Sequence, residues 1–357
     1  MADEITRTRD ETLLKILEAT APGTPLRQAI NSMVDLGKGG LLVIADEEKS
    51  KQVVHNCFEL HTEMSPPRLV ELSKMDRAII IDESLSKILY ANAYLVPDPN
   101  IPSEETGTRH LTAQKVARQL GVSVIAISAS RGRVTIYCGD YKHMLMDTVT
   151  LTARANQALR ILEQYRLTFD DLSRELTAIE LEGRVLPYHI ANFIQTIVQM
   201  LAIQEDIERF FIELGEEKEL LELQLDWLML DVVDELHLVI RDVQLGKRAP
   251  EKVIEDFKNL SPEDLLSTEK IIEILGYEGR EESLDEIIDS RGYRVLNQIP
   301  RIPVVVVERL VKSFGTLSKI TAATEEDLMQ VKGIARVRAR AIRLGLQRLK
   351  RSLMLWD

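Results

Sequence analysis

Apolar residues return along the first part of the chain with two different periods. From Asp10 to Ala19 and from Leu26 to Leu36 they recur every three or four positions, the helical spacing. The glycines at 37, 39 and 40 then release the chain into a continuous apolar run, Leu41 to Ala45, read as a strand. Similar short runs at Ala78 to Ile81, Ile88 to Ala91, Val122 to Ile127 and Val134 to Tyr137 predict further strands, with a helix from Ala113 to Leu120. The pattern is that of an α/β domain with a central mixed sheet.

From about Thr148 only the helical period is left. It holds through Val149 to Leu181, Pro187 to Leu214 and Glu216 to Val243, broken at Gly183 to Pro187 and at Gly215. This predicts an all-α spine whose Leu, Met and Trp227 stripes are core packing. A charged connector is expected from Gly246 to about Asp264, then short helices up to Gly292. The final segment is made of short helices divided by Pro and Gly. The expected domains are therefore residues 1–147, 148–290 and 291–357.

Composition narrows the classes. At 357 residues the chain exceeds one ordinary core. Its longest apolar runs, such as Val304 to Val307, are too short to span a bilayer, and the polar, acidic N-terminus has no secretory pattern, so a cytoplasmic protein is expected. Cys57 and Cys138 are distant and lack metal-site spacing; two buried thiols are expected. The net charge of −12 hides an asymmetry, because residues 291–357 carry 14 Lys and Arg against 5 Asp and Glu. That tail is +9 and the body −21, which points to a polyanion partner for the tail alone.

Within the tail, Thr324 with Asp327 forms a helix N-cap, Glu325 and Glu326 occupy the first turn, and Gly333 ends that helix before an arginine-rich one. The stretch is similar to the helix-hairpin-helix motif. Val331, Lys332, Gly333, Ile334 and Ala335 stand as its core, Ala339 is its small packing residue, and Arg336, Arg338 and Arg340 supply charge. Free N–H groups of such a hairpin hold a DNA backbone phosphate without reading bases. Leu296 to Leu317 looks like a degenerate first copy. A basic oligomerisation domain is the alternative, and DNA is preferred on the hairpin spacing and the charge. Ala335 stands where such hairpins usually have Gly, which predicts weakened binding.

In the first domain, residues 71–82 (ELSKMDRAIIID) and 88–121, containing VPDPNIPSEETGTRH, resemble the two signatures of the diadenylate cyclase domain. The chain is thereby identified as resembling the DisA family of DNA integrity scanning proteins along nearly its whole length. That resemblance implies condensation of two ATP molecules into cyclic di-AMP with Mg²⁺ or Mn²⁺, in a homo-octamer whose cyclase domains meet face to face, and a DNA ligand that is branched or damaged. It implies Asp76 as the metal-side carboxylate and Arg109 and His110 as catalytic groups. It also implies an ATP site of Leu95 on the adenine, Gly107 for close backbone approach, Thr108, Arg109 and Thr112, then Ser128 and Arg131.

Three positions depart from the family pattern. Arg77 replaces a glycine, Leu111 the second arginine of Arg-His-Arg, and Ala129 a phosphate-binding arginine. Two of these remove positive charge, each charge-assisted bond being worth roughly 1.5–3 kcal/mol. Arg77 either pairs with Asp76 or turns toward the phosphates. The second functional reading is a scaffold of the same architecture that binds nucleotide and DNA without turnover. A Walker-type phosphate loop is absent from the sequence.

Overall fold

The computed structural model describes residues 12–129, 132–277 and 286–353. They group into two compact units, Met1–Gln157 with Ile207–Glu222, and Ala158–Asp206 with Leu223–Asp357.

The first unit opens with α1 (residues 12–19) and α2 (Pro25–Asp35), the latter capped by the Thr24 hydroxyl and started by Pro25. Then follow β1 (Gly40–Ile44), α3 (Glu47–Ser50), β2 (Val54–Glu63), α4 (Pro66–Leu72), β3 (Ala78–Ile81), β4 (Lys87–Leu95), α5 (Thr108–Leu120), β5 (Ser123–Ile127), β6 (Val134–Cys138) and β7 (Tyr141–Leu145). The strands form one mixed sheet in the order β2-β4-β3-β1-β5-β6-β7, in which β1 and β3 are parallel and the other pairs antiparallel.

Strand alternation divides the core between the two faces. Leu42 and Ile44 of β1, with Ile79 and Ile81 of β3, pack against Leu26, Ala29, Ile30 and Met33 of α2. Leu41 and Val43, with Ala78 and Ile80, pack against Ala113, Val116 and Ala117 of α5. Buried on both faces, these strands read as unbroken apolar runs, which is why the sequence discloses them.

Two strands escaped that reading. β2 is exposed at most positions and its register with β4 is irregular, so neither a run nor an alternation marks it. β7 is a mostly exposed edge strand folded back on β6 through Gly139 and Asp140, with Gly139 at φ 57°.

Long helices follow: α6 (Thr148–Glu182), α7 (Pro187–Leu214), a 3₁₀ turn at Gly215–Lys218, α8 (Glu219–Leu228) and α9 (Val232–Val243). The third expected stretch is thus divided at Asp231, which sits at φ 62°. The expected Trp227 stripe is also corrected. Trp227 is 68% exposed, with Leu223 and Leu230 exposed beside it, while Leu221, Leu225 and Leu228 supply the buried face. The connector is not irregular either: α10 (Pro250–Lys258) and α11 (Pro262–Leu265) occupy it, followed by α12 (Thr268–Ile274).

The C-terminal helices are α13 (Tyr293–Asn297), α14 (Val304–Phe314), α15 (Leu317–Ala322), α16 (Glu325–Met329) and α17 (Arg336–Leu353), around a core that includes Val295, Ile299, Leu310, Leu328, Val331, Ile334 and Ala339. The capping box between Thr324 and Asp327 is present.

The second unit is centred on a buried ionic network. Arg294 is wholly buried and donates to Glu180 Oε2 (2.5 Å from Nη2), Glu235 Oε2 (3.2 Å) and Thr177 Oγ1 (2.8 Å), while Ser290 donates to the other Glu180 oxygen at 2.9 Å. Asp242, also buried, accepts the backbone N–H groups of Tyr293 (2.6 Å) and Arg294 (2.9 Å). A boundary at 290/291 therefore falls inside a network that ties α13 to α6 and α9.

Candidate nucleotide site and basic tail

Pairing brings the sequence-identified nucleotide residues to one end of the sheet. Gly40 faces Ile127 across β1 and β5, which sets Gly39 beside Ser128; Ala78 faces Ala93, which sets Asp76 and Arg77 beside Leu95. α5 ends at Gly121 and leads directly into β5, so its N-terminus, Gly107 to His110, returns to the same end.

Arg109 lies flat against the backbone at Gly39. A Cβ on that glycine would come within 2.7 Å of the guanidinium carbon. Gly39, expected only as a strand opener, thus makes room for Arg109, and the signal was the Gly-Gly pair at the start of β1. Thr108 is exposed at the first position of α5, after Gly107, whose side-chain-free N-cap leaves the helix end open. The Thr112 hydroxyl is spent on Thr108 O at 2.9 Å. Ser128 closes a turn through Arg133 O (2.8 Å) and Gly132 N (3.1 Å), and Ala129 is exposed beside it. Arg131 lies outside the described residues.

His110 belongs to a hydrogen-bonded chain that was not foreseen. Lys142 Nζ meets Glu105 at 2.5 Å, the buried Tyr137 hydroxyl donates to Glu105 Oε1 at 2.9 Å, and His110 Nδ1 lies 3.0 Å from Tyr137 Oη. Tyr137 has one proton and gives it to Glu105, so His110 Nδ1 is the donor to the phenol oxygen. The lone pair of the neutral ring is then on Nε2. The ring's Cδ2 edge, next to Nε2, faces Gly107, where a Cβ would sit at 3.9 Å.

Burial lowers the His110 pKa below the ordinary imidazole value, and nearby Lys142 and Arg109 add to the effect against Glu105. Burial pushes the Tyr137 phenol far above its usual range, with the Glu105 carboxylate adding to it. Burial works against ionisation of Glu105, yet the bonds from Lys142 and Tyr137 prevail and hold it below the usual carboxylate value.

Asp76 is exposed in the bend before β3, and no hydrogen bond or ion pair engages it among the described residues. Arg77 forms no pair with it. Leu95 differs from the expectation of a residue packing on adenine: its side chain is buried in the α5-side core, because strand alternation turns it inward, and the exposed ring at this end of β4 is Tyr94. No cluster of three or more His, Cys, Asp or Glu gathers among the described residues. One free carboxylate fits a hydrated Mg²⁺ or Mn²⁺ that arrives on a triphosphate, not an ion held by protein ligands alone.

In the tail, Val331 to Ala335 forms a tight turn between α16 and α17, with Gly333 at φ 92°. Lys332, Arg336, Arg338 and Arg340 are exposed, and the N–H groups of Gly333 and Ala335 have no acceptor among the described residues. Ile334 is corrected as a contact residue: its side chain is in the core and its N–H is bonded to Val331 O at 3.0 Å. The upstream copy has the same form. Ile299 to Pro303 turns between α13 and α14 with Arg301, at φ 67°, in the place of Gly333.

Residues 27–141 match the family model described as the DisA bacterial checkpoint controller nucleotide-binding region, and residues 145–284 match that of its linker region. Together they define the class, a nucleotide-binding α/β domain joined to a helical linker. Over nearly its full length the chain is similar to DNA integrity scanning proteins DisA. It is 44% identical over 344 residues to that of Carboxydothermus hydrogenoformans (96% of this chain, 98% of the relative). It is 41% identical over 342 residues to that of Clostridium acetobutylicum (96% and 96%) and 40% over 358 residues to that of Acidothermus cellulolyticus (99% and 97%). The chain belongs to the DisA family. No helix among the described residues is long and apolar enough to cross a membrane.

Proposed function

We propose that the protein is a diadenylate cyclase that condenses two ATP into cyclic di-AMP and pyrophosphate, with output coupled to branched or damaged DNA held by the tail. The observation that carries this reading is the convergence of Asp76, the open α5 N-terminus with Arg109, and the proton-accepting edge of His110 at one end of the sheet of a DisA-family nucleotide-binding domain.

The reaction joins the ribose 3′-oxygen of each ATP to the α-phosphate of the other. Such a transfer asks chiefly for alignment and charge. Arg109, lying against Gly39, and the α5 N-terminus supply positive potential for phosphate oxygens. His110, held neutral with Nε2 unprotonated, accepts the hydroxyl proton. Asp76 is the residue that would hold a divalent ion, which would supply neutralising charge for the phosphates. Two ATP facing one another require two protomers, in keeping with a homo-octamer.

The tail reads as a tandem helix-hairpin-helix domain that grips backbone phosphates. A cytoplasmic location suits such a protein. Incubation of the purified chain with ATP and Mn²⁺ or Mg²⁺, with cyclic di-AMP read by chromatography, tests the activity. ATP binding without product would favour the scaffold reading instead, which the losses at Leu111 and Ala129 motivate.

A further inference from the structure

A side chain of the upstream copy reaches the downstream turn of the tail. Arg309, on α14 of the upstream copy, donates Nη1 to Lys332 O in the downstream turn at 2.9 Å. The next carbonyl, Gly333 O, accepts from Arg338 Nη1 at 2.7 Å. Consecutive carbonyls of one turn are thus each held by a guanidinium, one from either copy. The fit at Gly333 is close, since a Cβ there would lie 2.8 Å from Arg309 Nη1.

We propose that Arg309 is a positioning residue of the downstream hairpin that also lends its charge to the same phosphate of a nucleic-acid backbone, making the two copies one binding unit. This rests on the reading of the tail as a DNA-binding domain and adds a residue that the motif does not contain.

Three observations support it. Carbonyl oxygens near a phosphate repel it, and tying both to cations cancels that repulsion while the Gly333 and Ala335 N–H groups stay unspent. A guanidinium has five donors, so the bond to Lys332 O leaves donors for a second acceptor. The charge is also uncompensated: no ion pair engages Arg309, Arg336, Arg338 or Arg340 among the described residues, whereas Arg343 is paired with Glu325 and Glu308 with Arg241. An arginine serving packing alone has no need of such unpaired neighbours.

The test is fluorescence anisotropy of the full-length protein with a labelled four-way DNA junction across a sodium chloride series, with a thermal melt of each variant. Arg309→Gln keeps a donor for Lys332 O and removes the charge. It is expected to weaken binding roughly tenfold at low salt and to lower the slope of log K against log salt by about one phosphate contact. Arg309→Lys is expected to retain the slope. Arg309→Gln binding with parental affinity and slope overturns the proposal, as does a loss of affinity with unchanged slope, which would make Arg309 a prop and nothing more. Absence of junction binding by the parent protein would instead remove the DNA reading itself.

Discussion

The guanidinium of Arg77 lies over the ring of Tyr94, 5.2 Å from its centroid. Strand alternation puts both residues on the sheet face opposite α5, since their neighbours Ala78, Ala93 and Leu95 pack on the α5 side. The arginine next to the proposed metal carboxylate is therefore parked on an aromatic face and does not compete for Asp76. Arg77→Gly alone should change cyclic di-AMP formation by no more than about threefold, because an exposed cation–π contact is worth only about 0.5–1 kcal/mol. Tyr94→Ala should lower formation by freeing Arg77 to pair with Asp76, and Asp76→Asn should abolish it. Chromatography of product from the variants decides, and a strong gain from Arg77→Gly would contradict the parked geometry.

Leu111 places an uncharged side chain in the first turn of α5. Leu111→Arg should raise turnover by roughly tenfold or more if a charge-assisted phosphate bond is restored. ATP affinity measured by calorimetry should rise with it.

Tyr137 fixes the tautomer of His110. Tyr137→Phe removes the oxygen that receives Nδ1–H, and is expected to lower kcat roughly tenfold to a hundredfold while leaving ATP affinity nearly unchanged. Because burial holds His110 below the ordinary imidazole value, the acidic limb of the parent's rate profile should lie below about pH 6.5. Lys142→Met removes a charge that opposes His110 protonation and should move that limb upward. A rate profile that does not respond to Lys142→Met would count against His110 as the base.

Asp242 carries a pH dependence of stability. Burial, with Glu180 nearby, pushes its carboxyl up to about 7, against the two backbone donors and Arg294. The native state thus keeps a proton that the unfolded chain releases near 3.8. The contribution to stability is complete below about pH 4 and is lost as pH rises to about 7. Urea unfolding of the parent and of Asp242→Asn, compared from pH 5 to 8, should show that slope in the parent and a flatter one in the variant.

Arg301 and Gly333 occupy the same left-handed position in the two tail turns and differ in what it costs. Arg301→Gly should relieve strain of about 1 kcal/mol, offset in part by the freer unfolded chain, and raise the melting temperature slightly. Gly333→Ala should destabilise the turn through both its φ of 92° and the approach of Arg309, and weaken DNA binding.

Legibility in the sequence followed burial. Strands covered on both faces, such as β1, β3 and β5, announce themselves, whereas the exposed β2 and β7 do not. In the helical part the apolar period predicted the elements but not which face each stripe would take, so Trp227 was expected inside and is exposed. At the candidate site the motif residues were legible one by one. Their supports, Gly39 under Arg109 and the relay from Lys142 to His110, join residues tens of positions apart and leave no local pattern. Arg309 was invisible for the same reason.

The Arg294 network has a bearing on how the chain acquires its shape. Glu180 and its cation are separated by 114 residues. During synthesis from the N-terminus, α6 and α7 emerge well before Arg294 exists, and until then Glu180 is an anion without its counterion in what will become the interior. Removing one partner of such a pair costs about 3–5 kcal/mol. The linker helices therefore gain this part of their packing only once Arg294 has been made. Truncation within residues 291–357 accordingly reaches the linker from either side of Arg294: a cut before it strips Glu180 of its cation, and a cut beyond Gln298 leaves Val295 and Leu296 without their core partners Ile299, Leu310 and Leu317.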